Sequence, residues 1–340
     1  MPPPNRRRAL PLMPRPPVLL PTAVDDASIT EDLLVRHGPY WPVQRYVSND
    51  AEYAALSGGP KDARMPVAPV FRGNWAQPGE VLPGVEPLLH NERFVNAARR
   101  LFGAELVRPT TVYVNLTHQM PFPQGPGHTD VPAFRGFDRS AYPITFLTLM
   151  GLSGLFEDAR VKVATAVCWF YRGRDGGFEY WPDGPDAPPV VHEGEIWNTG
   201  VVADNDFMWH RARAVGRPED GLEFITLDAE LVARDDGWAI VQGGVEQQRF
   251  NREALRVSLS WKAIAFADEA ERRQHDEHTA DLTSSEVLHR FERDLRSRGR
   301  RVAIPDDPFR DPGFIGLLHD EYVRTPSTSS TGRTGTSGPG

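Results

Sequence analysis

Between residues 105 and 265 the chain is cut into short runs rich in Val, Ile, Thr and aromatic residues, each closed within a few positions by Gly, Pro, Asp or Asn. The runs are ELVRPTTVYVNLT, YPITFLTLMGL, VKVATAVCWFYRG, GFEYWP, EGEIWNTG, DFMWHRARAV, EFITLDAELV, WAIVQGG and ALRVSLSWKAIAF. β-Branched and aromatic side chains fit a pleated, half-buried surface, and frequent turn residues keep each run short. Many short strands in succession predict an all-β core, a sandwich or a barrel. Pro (32) and Gly (30) favour the same outcome over long helices.

Helical patterns flank this core. TEDLLVRHG (30–38) opens on a Thr with acids in its first turn, EYAALSGG (52–59) reads as a helical turn stopped by glycines, and NERFVNAARRLFG (91–103) carries an Asn cap, an apolar side and a terminal Gly. Helix returns in ADEAERRQHDEH and SSEVLHRFERDLRSRG. Residues 1–24 read as a disordered Pro/Arg leader, because Pro11, Pro14, Pro16, Pro17 and Arg15 interrupt the apolar stretch a signal peptide needs. The Ser/Thr/Gly-rich end, 323–340, reads as a disordered tail, so residues 25–322 form the expected single domain.

A net charge of −8 argues against nucleic acid, whose phosphates need clustered Lys and Arg. No run of ~18 apolar residues suggests a membrane helix, and a cytoplasmic protein is expected. The lone Cys168 allows no intrachain disulfide and is most simply a small buried hydrophobe.

The chemistry concentrates in PFPQGPGHTDVPAF. On a strand, residues i and i+2 point to one side, so His128 and Asp130 can reach one ion while Thr129 points away. Gly125 and Gly127 permit a close backbone approach. A His-x-Asp pair alone is a weak signal, often no more than a hydrogen-bonded turn. A second histidine from a later strand would complete two imidazoles and one carboxylate, the donor set of non-haem Fe(II) oxygenases. His210, in the β-like DFMWHRARAV, is the preferred partner; His192 in VVHEGEIW is the rival, read as a strand end at the surface. His275 and His278 lie in a dense charge run and read as a solvated helix face.

ALRVSLSWK alternates. Leu255, Val257, Leu259 and Trp261 face one way; Arg256, Ser258, Ser260 and Lys262 face the other. This is either an edge strand with a wet face or a strand that aims a guanidinium at a carboxylate, with Ser258 donating beside it. Tyr113, Asn115 and Thr117 share another face, suited to ligand contacts or to a hydrogen-bonded interior.

His128-Thr-Asp130, then His210, then Arg256-x-Ser258 in a β-rich setting resemble the Fe(II)/2-oxoglutarate-dependent dioxygenases over roughly residues 105–265. The resemblance implies a double-stranded β-helix (jelly-roll) core with helical flanks. It implies iron on His128, Asp130 and His210, and 2-oxoglutarate held by Arg256 with Ser258, Asn115 being a further candidate contact. It also implies oxygen as co-reactant and a small-molecule substrate such as an amino acid or secondary metabolite. In the family the arginine follows the distal histidine closely, whereas here a long segment (RPEDGLEFITLDAELVARDDGWAIVQGGVEQQ) intervenes. Arg211, Arg213 and Arg217 are therefore competitors for the carboxylate. Two other classes stay open: a cupin-like metalloenzyme that keeps the triad without 2-oxoglutarate, and a jelly-roll binding protein with no catalytic metal.

Overall fold

The computed structural model describes residues 13–46 and 66–326, apart from positions 124, 174, 218, 220, 221 and 223, together with the backbone of 333 and 334. The helical turn expected at 52–59 and most of the leader and tail lie outside these residues.

Thirteen strands carry the argument: β1 (Val18–Leu20), β2 (Trp41–Pro42), β3 (Val70–Gln77), β4 (Leu106–Thr117), β5 (Val163–Phe170), β6 (Phe178–Tyr180), β7 (Val190–His192), β8 (Thr199–Ala203), β9 (His210–Ala212), β10 (Glu230–Arg234), β11 (Gly237–Gln242), β12 (Val245–Asn251) and β13 (Arg256–Phe266). The main sheet is antiparallel throughout, in the order β1-β8-β5-β13-β4-β3-β2, with Glu80–Val81 pairing onto β3 as well. A second sheet runs β9-β6-β7. It is extended past β9 by bridges from His128 to His210 and from Met120 to Val215. Residues of both sheets line a common cavity, so the sheets face each other. This is a jelly-roll core with helical flanks.

β13 is central, not an edge. Ser258 sits between Asn115 of β4 and Trp169 of β5, and the strand is buried over most of its length. Its apolar side (Val257, Leu259, Trp261) packs into the main core, where Trp261 meets Phe94 at 5.6 Å and donates from Nε1 to the Leu89 carbonyl at 2.7 Å. Phe94 belongs to helix α2 (Glu92–Phe102), capped by Asn91, whose side chain accepts from the Arg93 N–H, and closed by Gly103 at φ +64°. Helix α1 (Ser28–Arg36) adds Leu33 and Leu34 to the same core. Cys168 is buried there with its thiol against the Leu259 carbonyl.

Several expectations need correction. YPITFLTLMGL forms a helix, α3 (Ile144–Ser153), entered from Pro143 and closed by Gly154 at φ +71°. Its β-like composition reflects burial on almost every side: Phe146, Leu147, Leu149 and Met150 pack among helices α4 (Ser284–Ser297) and α5 (Pro312–Tyr322). A helix apolar all round has no amphipathic period to read. Helix α5 is not among the elements expected from the sequence. EGEIWN is mostly turn between β7 and β8, and only the last part of DFMWHRARAV is strand. The N-terminal region contributes strands as well as helices. β1 lies inside the stretch read as a leader and pairs with β8, with Leu20, Ala23 and Val24 buried. The segment between His210 and Arg256 folds as the meander β10-β11-β12, and Trp238 and Ile240 join the main core. Among the described residues, no helix is long and apolar enough to cross a membrane.

Candidate metal centre

His128 and Asp130 leave the GPG turn and run beside β9. The His128 N–H donates to the His210 carbonyl at 3.0 Å, and the His210 N–H returns to the His128 carbonyl at 2.9 Å. Gly127 sits at φ +103°, a backbone conformation L side chains rarely adopt, so glycine suits the turn into this pairing. A turn at 204–209 delivers His210. Arg160, buried, clamps Asp204 with two hydrogen bonds of 3.0 and 2.8 Å, and the neighbouring Asn205 carbonyl accepts from the Asp130 N–H at 2.8 Å.

The result brings His128, Asp130 and His210 together, with one donor atom from each within 4.8 Å of the others. His210 Nδ1 lies 2.9 Å from the Met208 carbonyl. A carbonyl only accepts, so Nδ1 carries the proton and the Nε2 lone pair faces the site, 3.8 Å from Asp130 Oδ1. Protonation states match a metal's needs. Burial, reinforced by the neighbouring His210, pushes His128 down to about 3, and burial also lowers His210, so both rings are neutral at pH 7. Burial alone would raise the Asp130 carboxyl, but the Lys262 ammonium beside it outweighs burial and holds the group ionised.

Lys262 is the residue whose role the sequence did not disclose. Its Nζ donates to Asp130 Oδ2 at 2.7 Å, and Thr165 Oγ1 donates to the same oxygen at 3.3 Å. It stands on the Arg256/Ser258/Ser260 face, so alternation places it correctly; its partner is fixed only by the three-dimensional path of the HTD segment. Asp206 was also missed. It is fully buried, and burial with the adjacent Asp204 pushes its carboxyl up to about 8.

Behind the triad lies a cavity of about 110 Å³ lined by Asn115, Trp169, Phe178, Asn205, Arg256 and Ser258 among others. Arg256 is fully buried; its Nε donates to the Gly176 carbonyl at 2.5 Å, and among the described residues no carboxylate hydrogen-bonds to it. Burial lowers its pKa to about 10, with Tyr171 and Asp175 opposing, so it remains a cation at neutral pH. Ser258 Oγ reaches the Asn115 carbonyl at 3.4 Å. Asn115 Oδ1, Asn205 Oδ1 and Trp169 Nε1 are buried with no hydrogen-bond partner among the described residues. A buried cation beside several unpartnered polar atoms is suited to a small anionic, polar ligand.

The competing arginines are engaged elsewhere. Arg211 pairs with Glu179, Arg213 with Glu193 at 2.5 Å, and Arg217 lies exposed near Glu219. His192 ends β7, half-buried, with Nε2 2.9 Å from Thr199 Oγ1 and away from the triad. His275 and His278 line an outer cleft of about 650 Å³, with Arg72, Arg135, Asp138, Lys262 and Ile264. Tyr113, His128 and Asp130 border both spaces.

Gly176 supports the arginine directly. It sits at φ +64°, and a Cβ there would lie 2.7 Å from Arg256 Cδ. Gly176→Ala is expected to destabilise the protein by about 1–2 kcal/mol from the left-handed backbone alone, and more if Arg256 cannot yield. Chemical denaturation beside wild type measures it; an unchanged midpoint would contradict the crowding.

No family profile and no curated protein matches the chain. Solved structures do. An oxidoreductase of the 2OG-Fe(II) oxygenase family from Burkholderia pseudomallei matches at 16% identity over 72% of this chain and 93% of its own, with a TM-score of 0.32. A prolyl hydroxylase from Trichoplax adhaerens, in complex with a hypoxia inducible factor peptide fragment, matches at 10% identity over 76% and 86%, TM-score 0.38. HygX from Streptomyces hygroscopicus, with nickel, 2-oxoglutarate and hygromycin B bound, matches at 12% over 74% and 83%, TM-score 0.34. Similarity at this level is remote, and the chemistry must come from the residues of the site. Of these three, one is described as a member of the 2OG-Fe(II) oxygenase family, one as a prolyl hydroxylase, and one holds 2-oxoglutarate.

Proposed function

We propose that this protein is an Fe(II)- and 2-oxoglutarate-dependent oxygenase of a small-molecule substrate. One observation carries the reading: a neutral-His, ionised-Asp, neutral-His cluster shares a cavity with a buried arginine to which, among the described residues, no carboxylate hydrogen-bonds. His128, Asp130 and His210 would hold the iron and leave open positions on it. Arg256, with Ser258 beside it, would hold the distal carboxylate of 2-oxoglutarate, and Asn115 and Trp169 offer polar atoms along the way. Iron and 2-oxoglutarate together would supply the oxidising power, using oxygen and releasing succinate and CO2 as an unactivated substrate carbon is oxidised, in the simplest case hydroxylated.

The chain's own contribution is placement. The inner cavity is walled by Trp169 and Phe178, which limit water around Arg256 and strengthen its hold on a carboxylate. The substrate would enter the outer cleft and meet the metal across His128 and Asp130. A cleft of about 650 Å³ suits a molecule larger than a free amino acid, within the usual range for drug-sized ligands.

Anaerobic titration of the purified protein with Fe(II) and then 2-oxoglutarate tests this without a known substrate. A visible metal-to-ligand charge-transfer band is expected, absent in His210→Ala. Bound iron without a band would point to a cupin-like metalloenzyme, and no bound iron to a binding protein.

A further inference from the structure

The two oxygens of Asp130 are not equivalent. Oδ2 accepts from Lys262 Nζ at 2.7 Å and from Thr165 Oγ1 at 3.3 Å, while Oδ1 faces His210 Nε2 at 3.8 Å. Lys262 and Thr165 are cross-strand partners on β13 and β5, so the two donors converge from neighbouring positions of one sheet face. On the other side of β13 the register with β4 slips after Lys262, which pairs with Thr111 while Ala263 pairs with Pro109. Pro109 has no N–H to give the ladder, and the skipped Thr110 turns its hydroxyl to the Lys262 carbonyl at 3.1 Å. Bulges of this kind often re-aim a side chain beside a functional site.

We propose that Lys262 is a positioning residue that fixes Asp130 as a one-oxygen metal ligand by occupying Oδ2. This rests on the metal-site reading above. A carboxylate free of such a partner can bind a cation through both oxygens. On a six-coordinate ion, two histidines and one aspartate oxygen leave three positions; a chelating aspartate leaves two. Two positions for a chelating cosubstrate and one for oxygen require all three, so Lys262 would protect the third.

The test uses Mn(II) as the probe, loaded anaerobically without cosubstrate, with bound water counted by solvent proton relaxivity and oxygen-17 line broadening. Wild type should hold three exchangeable waters per ion. Lys262→Met should hold two, lowering inner-sphere relaxivity by about one third, and Lys262→Arg should restore it. The bound metal compensates the carboxylate in Lys262→Met, and stoichiometric Mn(II) in that variant shows that its site has folded. Two waters in wild type, or three in a metal-loaded Lys262→Met, would overturn the proposal while leaving the metal site intact. Failure of wild type to bind Mn(II) or Fe(II) would overturn the metal site and this proposal together.

Discussion

Asp130→Ala is expected to abolish stoichiometric iron binding. The substitution removes the single anionic donor of the triad, and the remaining site would present a dication with two neutral imidazoles and a half-buried ammonium. Changes outside the ligand set commonly cost about 10–100-fold in metal affinity; loss of the anionic ligand itself should exceed that range. The apoprotein should suffer too, because Lys262 would keep its charge and lose its partner. Breaking a wholly buried pair costs roughly 3–5 kcal/mol. Lys262 and Asp130 keep 24% and 16% side-chain exposure, so about 1–3 kcal/mol is the sounder expectation. Elemental analysis after loading and a thermal melt of the metal-free protein measure the two effects. Full iron occupancy in Asp130→Ala would remove it from the ligand set.

Arg256→Ala should separate the cosubstrate from the metal. The guanidinium is buried, is held by Gly176, and lines the inner cavity with Ser258. Truncating one partner of a buried, hydrogen-bonded charge pair costs about 2–5 kcal/mol, which is a loss of roughly 30- to several-thousand-fold in 2-oxoglutarate affinity. Iron content should stay at the wild-type level, because Arg256 is no part of the triad. Arg256→Lys should recover only part of the loss, since an ammonium cannot fork onto both carboxylate oxygens. The concentration dependence of the charge-transfer band reads all three proteins. An unchanged midpoint in Arg256→Ala would return the role to another cation, and Arg211 and Arg213 would first have to leave Glu179 and Glu193.

The parts of the site that were legible in the sequence are those governed by local periodicity. The i, i+2 spacing puts His128 and Asp130 together, although the segment makes only a single bridge at His128 and not the strand expected there, and strict alternation puts Arg256, Ser258 and Lys262 on one face of β13. What alternation cannot give is the neighbour across space. The Lys262–Asp130 contact joins two segments far apart in the chain, and Arg160 reaches Asp204 in the same way. The fold follows the same division. The jelly-roll texture was readable because each strand announces itself through turn residues and β-branched side chains. The helix Ile144–Ser153 was misread because its burial on nearly all sides erased its period, and Thr and Ile mimicked a strand. β1 was missed because three residues set among prolines carry too little pattern of their own; the exposed edge of β8 supplies its reason to be extended.

That edge has a counterpart. Beyond β3, on the far side of the main sheet, the outermost position is taken in part by β2, so the same N-terminal segment covers both borders of the sheet: Val18–Leu20 at one, Trp41–Pro42 at the other. Both pieces are very short, and Pro42 further blunts its border, which is how native sheets deter self-association. The first stretch of the chain therefore closes both borders of the sheet. Its loss to a protease is expected to uncover unpaired backbone on both flanks at once, and light scattering by the truncated protein would measure the aggregation that follows.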